Sequence, residues 1–129
     1  MKGYLLDTGA ALLALAAPER LSAAAHKALD RGPHRLSVLS YWEVLLKTMT
    51  GKLDVGDPRQ WWADALDQLT ARALPLRPEH AACLYELPPI HKDPFDRMLI
   101  AQAMAEDLEL VTTDRNIPKY ASRRLSVLS

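Results

Sequence analysis

The chain is a succession of short apolar runs, each stopped by a polar or turn-forming residue and most of them followed by a stretch with helical spacing. Residues 3–6 are apolar up to Asp7, the pattern of a buried strand that delivers a polar side chain at its C-terminal end. Residues 10–17 read as a helix ended by Pro18, and residues 21–29, opened by Glu19 or Ser22, as a second helix closed near Gly32 and Pro33. A strand is predicted over 35–39 and a helix over 40–49, with Gly51 as its stop. Asp54, Gly56, Asp57 and Pro58 make a turn from which a helix runs to residue 70. Pro75 limits residues 74–76 to a weak edge strand, a helix follows over 78–86, and Pro88 with Pro89 breaks the chain.

Asp93 and Pro94 open the best-signalled helix, to about residue 105, because aspartate accepts from the free first-turn amides while proline at the first helical position loses no bond. A strand over 109–112, a helical turn at most over 116–120 and a final strand over 125–128 complete the order. Strands alternating with helices predict an α/β fold with a mainly parallel sheet covered on both faces. There is no internal repeat and no low-complexity segment.

Length adds one constraint: 129 residues suit a single domain over 1–129, large enough to bury a core without staples. Charge removes a simple reading. With 16 Lys and Arg against 16 Asp and Glu there is no global positive field, so binding of nucleic acid must come from local patches or metal ions. The lone Cys83 sits in an apolar stretch and reads as a buried, inert thiol, which suits a reducing cytoplasm. Lys2 followed by apolar residues up to Ala17 mimics a secretory signal, but Asp7 interrupts it, and the run after Asp7 falls far short of the roughly 20 apolar residues of a membrane span. The expected location is the cytoplasm.

In open parallel sheets, reactive groups gather beyond the C-terminal ends of the strands, near the point where chain order reverses. Four acids meet that rule. Asp7 ends the first strand, Glu43 is expected in the first turn after the second, Asp114 follows the 109–112 strand, and Asp96 lies in the first turn of the helix opened by Asp93. Clustered carboxylates repel one another, and a divalent cation relieves this. Magnesium or manganese takes hard oxygen ligands and leaves positions for phosphate oxygens, so the set points to metal-assisted phosphodiester hydrolysis with one or two ions bound.

Each acid also has a purely structural reading. Ser40 and Glu43 have capping-box spacing, and Glu43 and Lys47 suit a helix-surface pair. Asp93 and Asp96 complement a helix dipole, so one can cap while the other binds metal, and Asp114 can be an ordinary turn acid. Asp7 is the hardest to explain this way, since an acid directly after a buried run needs a partner or a metal. His91 beside Lys92 can touch phosphate, although a solvated loop histidine is commoner, and no His or Cys spacing resembles a zinc site. Trp61 and Trp62 lie about 100° apart on a helix, which fits a broad core face or, alternatively, a partner contact. Arg97, Arg115, Lys119, Arg123 and Arg124 cluster late in the chain and either guide RNA or form a solvated surface.

Residues 5–17, LLDTGAALLALAA, followed by PERLS over 18–22, resemble the opening of PIN-domain toxins of the VapC type. LSYWEVLLKTMTGKL over 39–53 is similar to that family's second motif, HKDPFDRMLIAQA over 91–103 to its third and most specific one, and LVTTD over 110–114 to its fourth. Four motifs in the right order span nearly the whole chain. The resemblance implies that Asp7, Glu43, Asp96 and Asp114 are the catalytic and metal-binding acids, with Thr112 a supporting hydroxyl and Asp93 an accessory. It further implies a three-layer α/β/α fold, magnesium- or manganese-dependent endoribonuclease activity on RNA, a homodimer, and inhibition by a cognate antitoxin. One position departs from it: Gly9 stands where related sequences usually carry asparagine or histidine, which puts RNA preference and metal positioning in question while removing no carboxylate.

Two rival functions follow from the same residues. Asp7 and Thr8 after a first strand also suit an aspartyl phosphotransferase of the haloacid-dehalogenase type, but Gly9 occupies the place where its proton donor belongs and the chain is small for its cap. The other rival is a catalytically silent PIN-like module that only binds RNA or protein, and retention of all four acids speaks against it.

Overall fold

Among the described residues the chain forms five strands, β1 (Tyr4–Leu6), β2 (His34–Ser37), β3 (Ala71–Leu74), β4 (Glu109–Val111) and β5 (Val127–Leu128). Six helices among the described residues connect them: α1 (Thr8–Ala16), α2 (Ala23–Arg31), α3 (Val38–Met49), α4 (Pro58–Gln68), α5 (Pro78–Leu84) and α6 (Pro94–Glu106), with 3₁₀ turns at Pro18–Arg20 and Ile117–Tyr120. The computed structural model describes residues 3–90 and 93–129. His91, Lys92 and the Lys2 of the signal-like segment lie outside the described residues.

All strand pairs are parallel, in the order β3-β2-β1-β4-β5. Parallel neighbours need crossover connections, and helices cover both faces, giving the expected α/β/α layering. The period-two alternation of β1 divides the core: Tyr4 and Leu6 face one side with Ala10, Ala25, Val44 and Trp61, while Leu5 faces the other with Leu99, Ile100, Leu110 and Leu125. Trp62 lies at the edge of the first cluster and stacks on Tyr41, ring centroids 4.7 Å apart, so the tryptophan pair serves a broad core face. Cys83 is buried, as expected.

Several boundaries differ from the sequence pattern for local reasons. α1 starts at Thr8 because the Asp7 side chain caps it. α3 starts at Val38 because Ser37 accepts from the Leu39 N–H at 3.0 Å, so the apolar residues that read as strand already belong to the helix. The edge strand is Ala71–Leu74 rather than 74–76; it pairs only with β2, and its exposed Arg72 and Ala73 hide the apolar signal. Gly3, at φ +137°, lets the chain enter β1 against Pro33, where a Cβ would meet the Pro33 carbonyl oxygen at 2.7 Å.

β1 is the central strand, and the Leu5 side chain is fully buried beneath it. Truncating Leu5→Ala leaves a cavity between the sheet and α6, and we expect urea unfolding to report a loss of about 2–5 kcal/mol with an unchanged denaturant slope.

Candidate active site

From β1 the chain moves outward through β2 and β3, then returns to place β4 on the other side of β1. The C-terminal ends of β1 and β4 therefore lie side by side at the switch point of the sheet. Asp7 follows β1, and Thr112, Thr113 and Asp114 follow β4. Asp7 is only 2% exposed. One of its oxygens accepts the Ala10 N–H at 2.7 Å and the other accepts the Thr112 hydroxyl. Thr112 Oγ1 in turn accepts the Asp114 N–H at 2.9 Å, so one hydroxyl ties the two acids together. Asp114 Oδ1 accepts the Asn116 N–H at 2.7 Å, which is the turn role expected of it, while its side chain also lines the acidic pocket.

Glu43 sits in the second turn of α3, not the first, because Ser37 caps that helix. The capping-box reading of Ser40 and Glu43 is thereby corrected. Ser40 is buried and accepts the Thr8 hydroxyl at 3.0 Å, pinning the start of α1 to α3 and fixing Asp7 relative to Glu43. Glu43 is 6% exposed; Lys47 Nζ lies 3.0 Å from its Oε2, and its Oε1 is buried without a hydrogen-bond partner among the described residues. Asp93 caps α6, accepting from the N–H groups of Phe95 at 2.8 Å and Asp96 at 3.3 Å. That leaves Asp96 in the first turn.

Asp7, Glu43, Asp93, Asp96 and Asp114 line one pocket of about 300 Å³ together with Lys47, Gly9 and Thr113. All four predicted acids and the accessory Asp93 meet there; Thr112 stands behind Asp7 as its hydrogen-bond donor. Lys47 and Thr113 were not anticipated as site residues. The spacing of Lys47 from Glu43 was visible but read as a surface pair, whereas nothing in sequence couples Thr113 to Gly9. A Cβ on Gly9 would lie 2.5 Å from Thr113 Oγ1 and 3.8 Å from Asp7 Oδ1. The Thr113 hydroxyl thus occupies the space that a side chain at position 9 would enter.

Burial is the largest cause that pushes Asp7 up to about 6; hydrogen bonds from Thr112, Ala10 and Thr113 oppose it, and the charge of Asp114 adds to it. Asp96 is pushed up to about 7, first by burial and then by the charges of Asp93, Asp7, Asp114 and Glu43. Lys47 is held above its ordinary value, chiefly by its hydrogen bond to Glu43. Among the described residues, no group of three or more His, Cys, Asp and Glu side chains is drawn together as a finished ligand shell. Glu43 is turned to Lys47 and Asp7 to Thr112, in keeping with repulsion between like charges. The donor chemistry nonetheless fits a hard divalent cation: all-oxygen donors, negative charge in excess, and one buried, unpartnered carboxylate oxygen on Glu43.

Residues 4–123 match the PIN domain family. A ribonuclease from Mycobacterium tuberculosis, VapC22, is 29% identical over 126 residues, 96% of each chain. Among solved structures, VapBC2 from Rickettsia felis, bound to a DNA fragment from its promoter, superposes with a TM-score of 0.69 at 14% identity, covering 97% of this chain and 96% of that one. A toxin–antitoxin complex from Klebsiella pneumoniae gives 0.60 at 19% identity, covering 95% of both chains. The superpositions show the fold.

Asp7 and Asp96 bind protons more tightly in the folded chain than in the unfolded one. The stability linked to them is complete below their ordinary value of 3.8 and is lost as pH rises through about 6 and 7. We expect calorimetry of the metal-free protein to show its melting temperature falling from pH 5 to pH 8, and Asp96→Asn to flatten that fall and raise melting at pH 8 by roughly 2–4 °C. An Asp96→Asn profile parallel to the original would contradict this electrostatic account.

Proposed function

The chain belongs to the PIN-domain family, and from that premise we propose that it is a metal-dependent endoribonuclease that hydrolyses RNA phosphodiester bonds as the toxin of a toxin–antitoxin pair. The observation that carries this reading is the convergence of five acids from four separate parts of the chain on one small pocket at the sheet's switch point. Likeness to a ribonuclease over nearly the whole length supports the reaction class. The superposed toxin–antitoxin complex supports a cognate antitoxin as partner. In this reading residues 1–129 work as one domain.

Asp7, Glu43, Asp96 and Asp114 would hold one or two magnesium or manganese ions. The chemistry an ion would supply when bound there is a more acidic water and neutralisation of charge on the phosphate and the leaving oxygen. The chain's own residues prepare the site. Thr112 orients Asp7 through its hydroxyl and holds the Asp114 backbone through the same oxygen. Lys47 offsets part of the negative charge next to Glu43. One carboxylate of this set would accept a proton from attacking water. Asp93 keeps α6 capped so that Asp96 stays at the pocket wall.

The partners are the RNA substrate, the antitoxin and a second copy of the chain. Exposed Trp42, Leu46 and Met49 on α3, beside an apolar groove of about 250 Å³ bounded by Leu76 and Phe95, support a protein contact at that face. No helix among the described residues is long and apolar enough to cross a membrane. A cytoplasmic RNA pool is the substrate this reading requires.

Purified protein incubated with end-labelled RNA and magnesium should yield discrete fragments, and a chelator should stop their formation. Asp7→Asn and Asp96→Asn should each slow cleavage by roughly a hundredfold or more, the scale of losing one preorganised electrostatic group. Metal-independent RNA binding without products would instead favour the silent module.

A further inference from the structure

A second and larger cavity, about 700 Å³, adjoins the acidic pocket and shares Thr113 and Asp114 with it as a common wall. It is lined on one side by Arg20, at the turn between α1 and α2, and on the other by Arg115, directly after Asp114. Leu13, Leu21 and Pro118 contribute apolar surface to the same lining. Among the described residues, neither the Arg20 nor the Arg115 side chain makes an ion pair or hydrogen bond.

The other basic residues late in the chain are engaged or stand elsewhere. Arg97 donates to the Pro88 carbonyl and the Tyr120 hydroxyl, Lys119 to Asn116, and Arg124 to Glu86 at 2.6 Å. Arg123 is exposed and lines neither cavity. A guanidinium left without an internal acceptor beside a strongly acidic pocket is placed for an anion arriving from outside, and a planar fork of donors suits a phosphate.

We propose that this groove is the track for the single-stranded RNA flanking the scissile bond, with Arg20 and Arg115 each holding one backbone phosphate and the apolar surface of the lining receiving sugar or base. The proposal rests on the nuclease reading of the adjoining pocket. It supplies what the neutral overall charge leaves out, a local cationic patch reaching the reacting centre across the Thr113–Asp114 wall. It also gives Gly9 a consequence: the substrate meets the Thr113 hydroxyl at the junction of the two cavities, where a larger residue 9 would stand.

The test measures binding of a short fluorescein-labelled single-stranded RNA to the full chain carrying Asp7→Asn, over a series of salt concentrations. Arg20→Gln and Arg115→Gln should each weaken binding several-fold and reduce the slope of log affinity against log salt by about 0.7, the contribution of one phosphate. Arg72→Gln, which removes the same charge at the opposite edge of the sheet, should leave the slope unchanged. In the chain with Asp7 intact, the two groove substitutions should raise KM and spare kcat. Slopes that stay at the original value, or that shift equally in Arg72→Gln, overturn the groove even where RNA is cleaved. Slopes that fall only in the groove variants uphold it even where wild-type protein cleaves nothing, so failure of the track and failure of the nuclease reading give different results.

Discussion

Mutual repulsion among carboxylates is the constraint around which this molecule is arranged. Asp7, Glu43, Asp93, Asp96 and Asp114 line a pocket of only about 300 Å³, where burial first and the neighbouring negative charges second lift Asp7 to about 6 and Asp96 to about 7. Three of the five acids are held there by a bond that serves the fold as well: Asp7 caps α1, Asp93 caps α6, and Asp114 closes a turn. The cost of the cluster is thus partly offset by helix starts and turns the domain needs anyway. Lys47 removes some of the excess charge, and a divalent cation bound by these oxygens would remove much more.

The sheet makes the convergence possible. Strand order β3-β2-β1-β4-β5 puts the exits of β1 and β4 next to each other, and the side-chain bonds then set the fine geometry. Thr8 to Ser40 fixes α1 against α3, and Thr112 joins Asp7 to Asp114. These are buried hydroxyls with defined partners. A hydroxyl lost from either pair would leave its partner short of a bond in a place water reaches poorly.

Much of this was legible in the sequence where a single local rule governs. The apolar run before Asp7 and the Asp93–Pro94 helix start were both readable, because strand termination and capping are local chemistry. The start of α3 was not, since Ser37 and Ser40 both have cap chemistry and only tertiary packing decides that Ser40 is buried against Thr8. β3 was displaced because an edge strand with Arg72 and Ala73 outward carries no apolar run. Lys47 and the Gly9–Thr113 contact were missed as site features because they depend on which way α3 and the chain after β4 face. The basic residues could be counted in sequence, but only the structure separates Arg97, Lys119 and Arg124, which are engaged, from Arg20 and Arg115 in the groove.

The direct measurement is a calorimetric titration of the metal-free protein with manganese in buffers of different ionisation enthalpy, which counts protons released per ion bound. If the acids share one pocket and hold the cation, binding saturates, releases protons near pH 6, releases fewer at pH 8, and weakens sharply in Asp7→Asn. No saturable uptake, or uptake with the same proton count at both pH values and undiminished in Asp7→Asn, would contradict the account.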